Sequence, residues 1–437
     1  MDKEQVKKII KDKNIKYIRL QFVDMLGIPK NFSISTDLID SVFEDGLGFD
    51  SSSIKGFSDI FNSDSLLLPD PATFKIIPWL DEARIICDVC YPTTKKPYEG
   101  DPRSLLKAEI KKLAEENMEF YVGPEIEFHL LKEVNGKLVP HDTGGYADFS
   151  PLDLGEEVRN KAALYMHMMG VKSEITHHEV GDGQHEIDFR FKESALEAAD
   201  DVITYKQVVK NIAAKEYGLV ATYMPKPFYG QAGNGMHCHQ SVFKNGKNIF
   251  YDPKTKNLSD QGKWYIGGML KHAKALTAIC SPSVNSYKRL VPGYEAPVYI
   301  AWGWANRTTL IRIPGYNPTN EKALRIEFRS PDPTCNPYLA FTAMLKAGLD
   351  GIENQIEPPK PIDYDLFELS LDELEERGIE TLPINLGEAI KELEKDKVIR
   401  EALGKHIYEK YIEHKKKVWK EYSMYVTDWE FQKYLRY

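Results

Sequence analysis

Residues 177–188 read HHEVGDGQHEID, with three histidines and four acids packed around a Gly-Asp-Gly turn. The segments on either side, EITHHE (174–179) and HEIDFRF (185–191), predict the two strands of a β-hairpin. In that pairing Glu179 and Glu186 flank the turn and lie nearly opposite each other. Like charges directly opposite in a sheet are destabilising. At about 6 Å and an effective dielectric of about 20 the repulsion is roughly 3 kcal/mol, more than the ~0.2–1 kcal/mol of a favourable cross-strand pair. Open solvent, a proton or a cation has to relieve it.

Three further segments share this construction. In YVGPEIEFHLL (121–131), Glu125, Glu127 and His129 fall on one face and Ile126, Phe128 and Leu130 on the other. GMHCHQSVF (235–243) sets His237, His239 and Ser241 against Met236, Cys238 and Val242. ALRIEFRS (323–330) sets Arg325, Glu327 and Arg329 against Leu324, Ile326 and Phe328. Any one of them alone reads equally well as a solvated strand face. Together, four apolar backs imply one sheet covered by helices, so four ionisable fronts converge on one concave surface. Glu125, Glu127, Glu179, Glu186, Glu327 and His237 form an oxygen-rich donor set that suits Mg²⁺ or Mn²⁺ better than zinc. Balancing their charge requires two or three ions. Arg289, Arg307, Arg312 and Arg329 lie near Gly- and Pro-rich turns, where each is an ordinary ion-pair partner or a bidentate holder of carboxylate or phosphate. Acidic metal ligands beside several arginines point to phosphoryl transfer involving an anionic substrate.

The rest of the chain supplies the frame. Its 437 residues call for two or more domains. Hydrophobic content of 42% and charged content of 28% are those of a soluble globular protein. A net charge of −9 argues against nonspecific nucleic-acid binding. The start, MDKEQVKKIIKDKN, is an amphipathic helix pattern rather than a signal peptide, and no apolar run is long enough to span a bilayer, so a cytoplasmic location is expected. The five cysteines sit in apolar contexts; Cys87 and Cys90 form a C-x-x-C on a strand that points them to opposite faces, which favours core packing over metal binding. IKYIRLQFVD (15–24), PKNFSIS (29–35) and EARIICDVCY (82–91) read as strands, interrupted by a helix near 36–44. The connector TTKKPYEGDPR leads to Asp101-Pro102, an N-cap followed by proline at the first helical position. This places the domain boundary at 100/101. Helices follow at 102–117 and 196–217, IEPPKPIDYD (356–365) breaks the pattern, and the remainder from about 366 is helical. The class is α+β. Neither G-x-x-x-x-G-K-[ST] nor a strand-linked G-x-G-x-x-G is present, so any ATP site is built differently.

GPEIEF, HHEVGDGQHEIDFR, GNGMHCHQS, KRLVPGYEAPV, NRTTLIRIP and RIEFRSPDPTCNPYLA, in this order, resemble the signature blocks of type I glutamine synthetase, and FDSSSIKGF (49–57) resembles its small-domain block. The resemblance runs from about residue 14 to the C-terminus. It implies an N-terminal β-grasp domain, a catalytic domain with a curved antiparallel sheet covered by helices, and a homododecamer of two hexameric rings with active sites shared between subunits. It implies ATP-dependent ligation of ammonium to L-glutamate through γ-glutamyl phosphate. By position, Glu127, Glu179 and Glu186 resemble the ligands of one metal, and Glu125, His237 and Glu327 those of a second. Glu174, Phe191, His239, Gln240, Ser241, Arg307, Arg312, Lys322 and Arg325 fall where the family contacts ATP. Glu127, Ala232, Gly233, His237, Arg289, Arg307 and Arg329 fall where it holds glutamate and the phosphorylated intermediate. Glu295 matches a flap glutamate, and Asp50 and Ser53 match residues that approach a neighbouring subunit's site.

Three departures qualify the resemblance. The glutamate loop, usually Asn-Gly-Ser-Gly, reads Ala232-Gly233-Asn234-Gly235. The adenylylated tyrosine of one subtype is replaced by Phe367 in DLFEL, which implies a non-adenylylated, alpha-like subtype. The feedback arginine of another subtype is replaced by Asp59. A PII-like or other small regulatory protein is a conceivable partner; neither nucleic acid nor membrane is expected. The alternatives are a ligase of the same fold that uses a polyamine or another amine, and a non-catalytic assembly or regulatory relative.

Overall fold

The computed structural model describes residues 1–58, 60, 63–292 and 296–437. Asp2 caps the first helix, Lys3–Asp12, in a reciprocal capping box with Gln5. Val6 and Ile10, one turn apart, bury its apolar side. That helix and the helix Ile39–Asp45 accompany a six-stranded sheet. Its order is Pro29–Ser35, Tyr17–Val23, Glu82–Cys90, Asp64–Pro69 and Leu47–Asp50, with Lys75–Ile77 also paired to Glu82–Cys90. Tyr17–Val23 and Glu82–Cys90 run parallel and the other pairs antiparallel, a β-grasp arrangement. The expected helix near 36–44 opens as a 3₁₀ turn, Thr36–Leu38, before the α-helix. Two of these strands, at 64–69 and 75–77, carry no period-2 alternation in sequence and are held by their partners rather than by pattern, and the alternation at 47–50 spans only four residues. Ile18, Leu20, Phe22, Leu67, Ile85, Cys87 and Val89 form this sheet's core. All five cysteines are buried and unbridged.

Asp101 accepts hydrogen bonds from the Arg103 and Ser104 amides and so starts the helix Pro102–Glu115. The larger, ten-stranded sheet follows the order Tyr299–Trp304, Thr309–Ile313, Ile326–Phe328, Met236–Lys244, Met118–Val134, Gln184–Phe189 and Ser173–His178. Three short strands pair at its margins. It is antiparallel except for the pairing of Tyr299–Trp304 with Thr309–Ile313. Phe120, Val122, Ile126, Phe128, Ile187, Met236, Cys238, Val242, Ile326 and Phe328 form one buried cluster with residues of the helices Ala195–Tyr217 and Pro337–Glu353. The sheet's front is thereby left to polar residues, as the alternation requires. The segment expected as a strand over 323–330 pairs only at 326–328, because a 3₁₀ turn at Glu321–Ala323 precedes it and Pro331 follows. No described helix is long and apolar enough to cross a membrane.

Buried charge ties the two sheets together. The guanidinium of Arg103, 2% exposed, bonds Asp88 at 2.5 Å, Asp70 at 3.1 Å and Asp200 through two 3.0 Å contacts. Tyr338 adds a 2.6 Å hydrogen bond to Asp200. Asn336 caps the helix Pro337–Glu353 and donates to the carbonyls of Asp24 and Met25 in the first domain.

Within the second region His272 joins three helices, with Nδ1 2.6 Å from Asp396 and Nε2 2.9 Å from Asp350. Burial disfavours its charge, but the two carboxylates outweigh that and raise its pKa above the usual value. Its stabilisation is therefore complete below the unfolded value of about 6.5 and is lost as pH rises through the raised folded value. His272→Gln is expected to lower the melting temperature by about 2–4 °C near pH 6 and by much less near pH 9. Thermal melts across that range check this, and equal losses at both ends contradict it.

Candidate metal and nucleotide site

The opening hairpin is formed by Ser173–His178 and Gln184–Phe189. Gly183 takes φ +63° at the turn, where a Cβ would sit 2.8 Å from the Leu130 carbonyl oxygen. Its register differs from the expectation. Glu186 pairs with His177 on one side and with Glu127 on the other, while Glu179 lies past the strand end. Glu179 is thus diagonal to Glu186, not opposite it. His177 Nε2 sits between them, 3.0 Å from Glu179 and 3.5 Å from Glu186. The directly opposed acids are Glu186–Glu127 and Asp188–Glu125. Asp188 was overlooked in the sequence, although period 2 from Glu186 puts it on the same face.

The front of the sheet therefore gathers six carboxylates. Glu127 Oε2 accepts from the Gly235 amide at 2.8 Å and from Gln184 Nε2 at 2.9 Å. Glu186 Oε1 and Asp188 Oδ1 are buried with no hydrogen-bond partner among the described residues. Burial, then the charge of Glu179, pushes Glu127 up to about 7. Burial, then Glu125, pushes Asp188 up to about 6. Burial, then Asp188 and Glu127, raises Glu186 well above its ordinary value. Such orphaned, mutually repelling oxygens fit a divalent cation, which supplies the missing positive charge.

A second donor group adjoins the first. His237 Nδ1 is 3.6 Å from both Glu125 Oε2 and Glu327 Oε1. His239 lies closer to Glu125, at 2.6 Å, but Arg325 Nε donates to its Nδ1 at 3.1 Å. Its Nδ1 lone pair is thus engaged, and Nε2–H is the donor to Glu125. The free lone pair belongs to His237, whose pKa is lowered by burial and then by Arg329. Glu327 is completely buried and gripped by Arg329 Nη1 at 2.8 Å and by Arg312. Burial opposes its ionisation, but Arg329 and the two histidines hold it near 2. Carboxylate oxygens with one imidazole suit a hard divalent ion.

These groups line an open cavity of about 820 Å³ that also takes in Ala232, Gly233, Arg289, Arg307, Arg312 and Arg329. Arg289 is buried and donates to the carbonyls of Arg329, Ser330 and Pro331. Arg329 Nε is buried without a partner among the described residues. A neighbouring cavity of about 1310 Å³ shares Glu125 and Asp188 with the first, and Glu174, Phe191, His239, Gln240, Ser241, Lys322 and Arg325 line it. The structure thus collects these seven expected ATP contacts in one place, with Arg307 and Arg312 across the shared wall. Phe191 offers an exposed aromatic face backed by Tyr121 at 6.1 Å. The Gln240 side chain is held toward the core, where its amide donates to Met344 Sδ and accepts from Tyr265. Asp50 and Ser53 do not reach either cavity within one chain. Asp50 is exposed and accepts from Ser52 Oγ at 2.7 Å, which lowers its pKa. Glu295 and Asp59 lie outside the described residues.

With this geometry established, similarity to known proteins is informative. Residues 99–434 match the family "Glutamine synthetase, catalytic domain", and residues 14–92 match "Glutamine synthetase, beta-Grasp domain". The glutamine synthetase of Methanocaldococcus jannaschii is 52% identical, covering 100% of this chain and 99% of that one. That of Thermotoga maritima is 50% identical, covering 99% of each. Among solved structures, a GmaS/ADP complex superposes with TM-score 0.89 at 32% identity over 98% of this chain and 99% of that one. Plasmodium falciparum glutamine synthetase superposes with TM-score 0.89 at 27% identity over 99% of each chain. Two family matches that together span nearly the whole sequence, with relatives at half identity over full length, establish that the chain belongs to the glutamine synthetase family.

Proposed function

We propose that this protein joins ammonia to the side-chain carboxylate of L-glutamate, with ATP as co-substrate, releasing L-glutamine, ADP and phosphate. The observation that carries this reading is the wall of carboxylates shared by the two cavities. A nucleotide in the larger cavity would present its terminal phosphate to the donor sets of the smaller one. Two or three divalent ions, Mg²⁺ or Mn²⁺, when bound, would polarise that phosphate and screen it from an approaching carboxylate. Glu127, Glu179 and Glu186 would hold one, and Glu125, His237 and Glu327 another.

The remaining steps fall to the chain's own groups. Phe191 supplies a stacking face for the base, and His239, Ser241, Lys322 and Arg325 polar contacts for the nucleotide, with Glu174 at the rim. Ala232, Gly233 and Arg289 border the glutamate position. Attack of the glutamate side chain on the γ-phosphorus expels ADP and leaves γ-glutamyl phosphate, which must be kept from water; the role expected of Glu295 in this falls outside the described residues. Arg307, Arg312 and Arg329 line the space where that charge develops and would stabilise it. Ammonium drawn to the partner subunit's Asp50 and Ser53 passes a proton to the partner's Asp50 carboxylate; the ammonia attacks the acyl carbon, and the departing phosphate carries off the second proton.

In this reading residues 1–100 lend Asp50 to a neighbour while residues 101–437 hold the ions and substrates. That division requires an oligomer, for which two stacked hexameric rings are the natural form, and a cytoplasmic setting rich in ATP and glutamate. Phe367, packed 6.0 Å from Tyr299, offers no hydroxyl for adenylylation. Control by small effectors or a PII-like protein is compatible with the fold. A ligase of the same fold could use another amine as the acceptor, and the half-identical glutamine synthetases favour ammonium.

Phosphate release with Mg²⁺ or Mn²⁺ is expected to require ATP, glutamate and ammonium together. Release with methylamine or a polyamine but not ammonium would overturn the reading. Glu327→Ala is expected to cut glutamine formation by at least about 100-fold, the scale of losing one preorganised electrostatic partner, without changing oligomer mass in light scattering. Asp50→Ala is expected to raise the KM for ammonium while the KM for ATP holds. An isolated, stably folded monomer with full turnover would refute the shared site.

A further inference from the structure

His129 stands on the same strand as Glu125 and Glu127, and alternation sends it toward the same front, yet it is completely buried and lines neither cavity. Its Nδ1 lies 2.8 Å from Oδ1 of Asn234, which is itself completely buried. The amide of Asn234 is oriented by its other end, since Nδ2 donates to the Met224 carbonyl at 2.8 Å. Oδ1 is therefore an acceptor, and His129 is the tautomer that carries its proton on Nδ1.

Asn234 occupies the centre of the loop Ala232-Gly233-Asn234-Gly235. Its neighbours are fastened to the carboxylate-bearing elements through their backbones. The Gly233 carbonyl accepts from Gln184 Nε2 at 3.1 Å, and the Gly235 amide donates to Glu127 Oε2 at 2.8 Å. Glu127's own amide donates back to the Gly235 carbonyl at 3.1 Å. The glycines cannot be exchanged for residues with anchoring side chains. A Cβ at Gly233 would stand 2.3 Å from the Pro225 carbonyl oxygen, and one at Gly235 would stand 2.5 Å from Arg289 Nη2. In a tetrad of alanine and glycines, the Asn234 side chain is the only one able to reach across to the strand. Such a loop has a large conformational entropy to lose, and it is pinned at Asn234, whose amide donates to the Pro225 carbonyl at 2.8 Å and whose side chain is fixed between Met224 and His129.

We propose that His129 is a positioning residue for the amino-acid substrate: by donating from Nδ1 to Asn234 it fixes the 232–235 loop over the smaller cavity and so sets the affinity for glutamate. This rests on the ligase reading of the site. His129 acts through Asn234 and touches neither substrate nor ions. The effect therefore falls on glutamate binding and leaves the nucleotide cavity alone.

The test compares the intact assembled protein with His129→Phe, which keeps a ring but removes the donor, and with His129→Asn, which keeps a side-chain N–H. Asn234→Ala removes the acceptor. Glutamate affinity is measured by calorimetry, and KM and kcat for glutamate and ATP by phosphate release. His129→Phe and Asn234→Ala are expected to weaken glutamate by about 10–100-fold, the usual range for a residue that orients a ligand-binding group. The KM for ATP and kcat should stay within about 3-fold, and His129→Asn should recover much of the loss. Unchanged glutamate affinity in both donor-less and acceptor-less variants overturns the proposal. So does a parallel decline of glutamate and ATP parameters with a lower melting temperature, which marks a merely structural role. If His129→Phe fails to assemble, Asn234→Ala carries the same test from the other side. Absence of glutamate binding by the wild-type protein overturns the ligase reading and this inference together; binding by the wild type with unaffected variants overturns this inference alone.

Discussion

Mutual repulsion among six carboxylates on one half-enclosed face is the constraint around which this protein is arranged. A sheet front bearing Glu125, Glu127, Glu179, Glu186, Asp188 and Glu327 does not hold together on strand pairing alone. The fold manages it in three ways. The apolar back binds each strand into one core, so the strands cannot slip to turn their acids outward. Arg312 and Arg329 neutralise Glu327, while His177 and His239 hydrogen-bond to Glu179 and Glu125. Glu186 Oε1 and Asp188 Oδ1 have no hydrogen-bond partner among the described residues, and burial with the neighbouring acids raises the pKa of both groups.

Much of this was legible in the sequence because period 2 is a local property. Glu125, Glu127, His237 and Glu327 could be put on one face from their own segments, and the apolar residues between them announced the core. Hairpin register was less accessible: whether Glu186 meets Glu179 or His177 depends on how many residues the turn consumes, and Gly183 settles that with a left-handed φ. Asp188 was within reach of the same alternation that found Glu186. Gln240 is the converse case. It lies between two front-facing residues, so the alternation that sent His239 and Ser241 forward sends its side chain to the rear. The short strands at 64–69 and 75–77 have no pattern of their own and pair because neighbours offer them hydrogen-bonding edges, and the alternation at 47–50 is too short to stand out. Asp50 and Ser53 gave a signal only through the family resemblance, since one chain does not bring them to the cavities.

Backbone approach is the other element that motif reading captures only as letters. Gly233 and Gly235 are required by contact distances to Pro225 and Arg289, and the residue between them is free to vary as long as something holds it. The tetrad here carries asparagine at that position with a histidine beneath it, a pairing of positions 129 and 234 that only the folded chain brings together.

The Arg103 hub has a consequence for how the chain is made. Asp70 and Asp88 leave the ribosome before Asp200 and Tyr338 exist, and Arg103 lacks its third carboxylate partner until then. The first sheet can form its own core early, but the pocket around Arg103 closes only when the helix carrying Asp200 and then the helix carrying Tyr338 are delivered. Synthesis therefore ends with a docking event rather than with two independently finished domains, and a nascent chain stalled before residue 338 would expose that unfinished face to quality control.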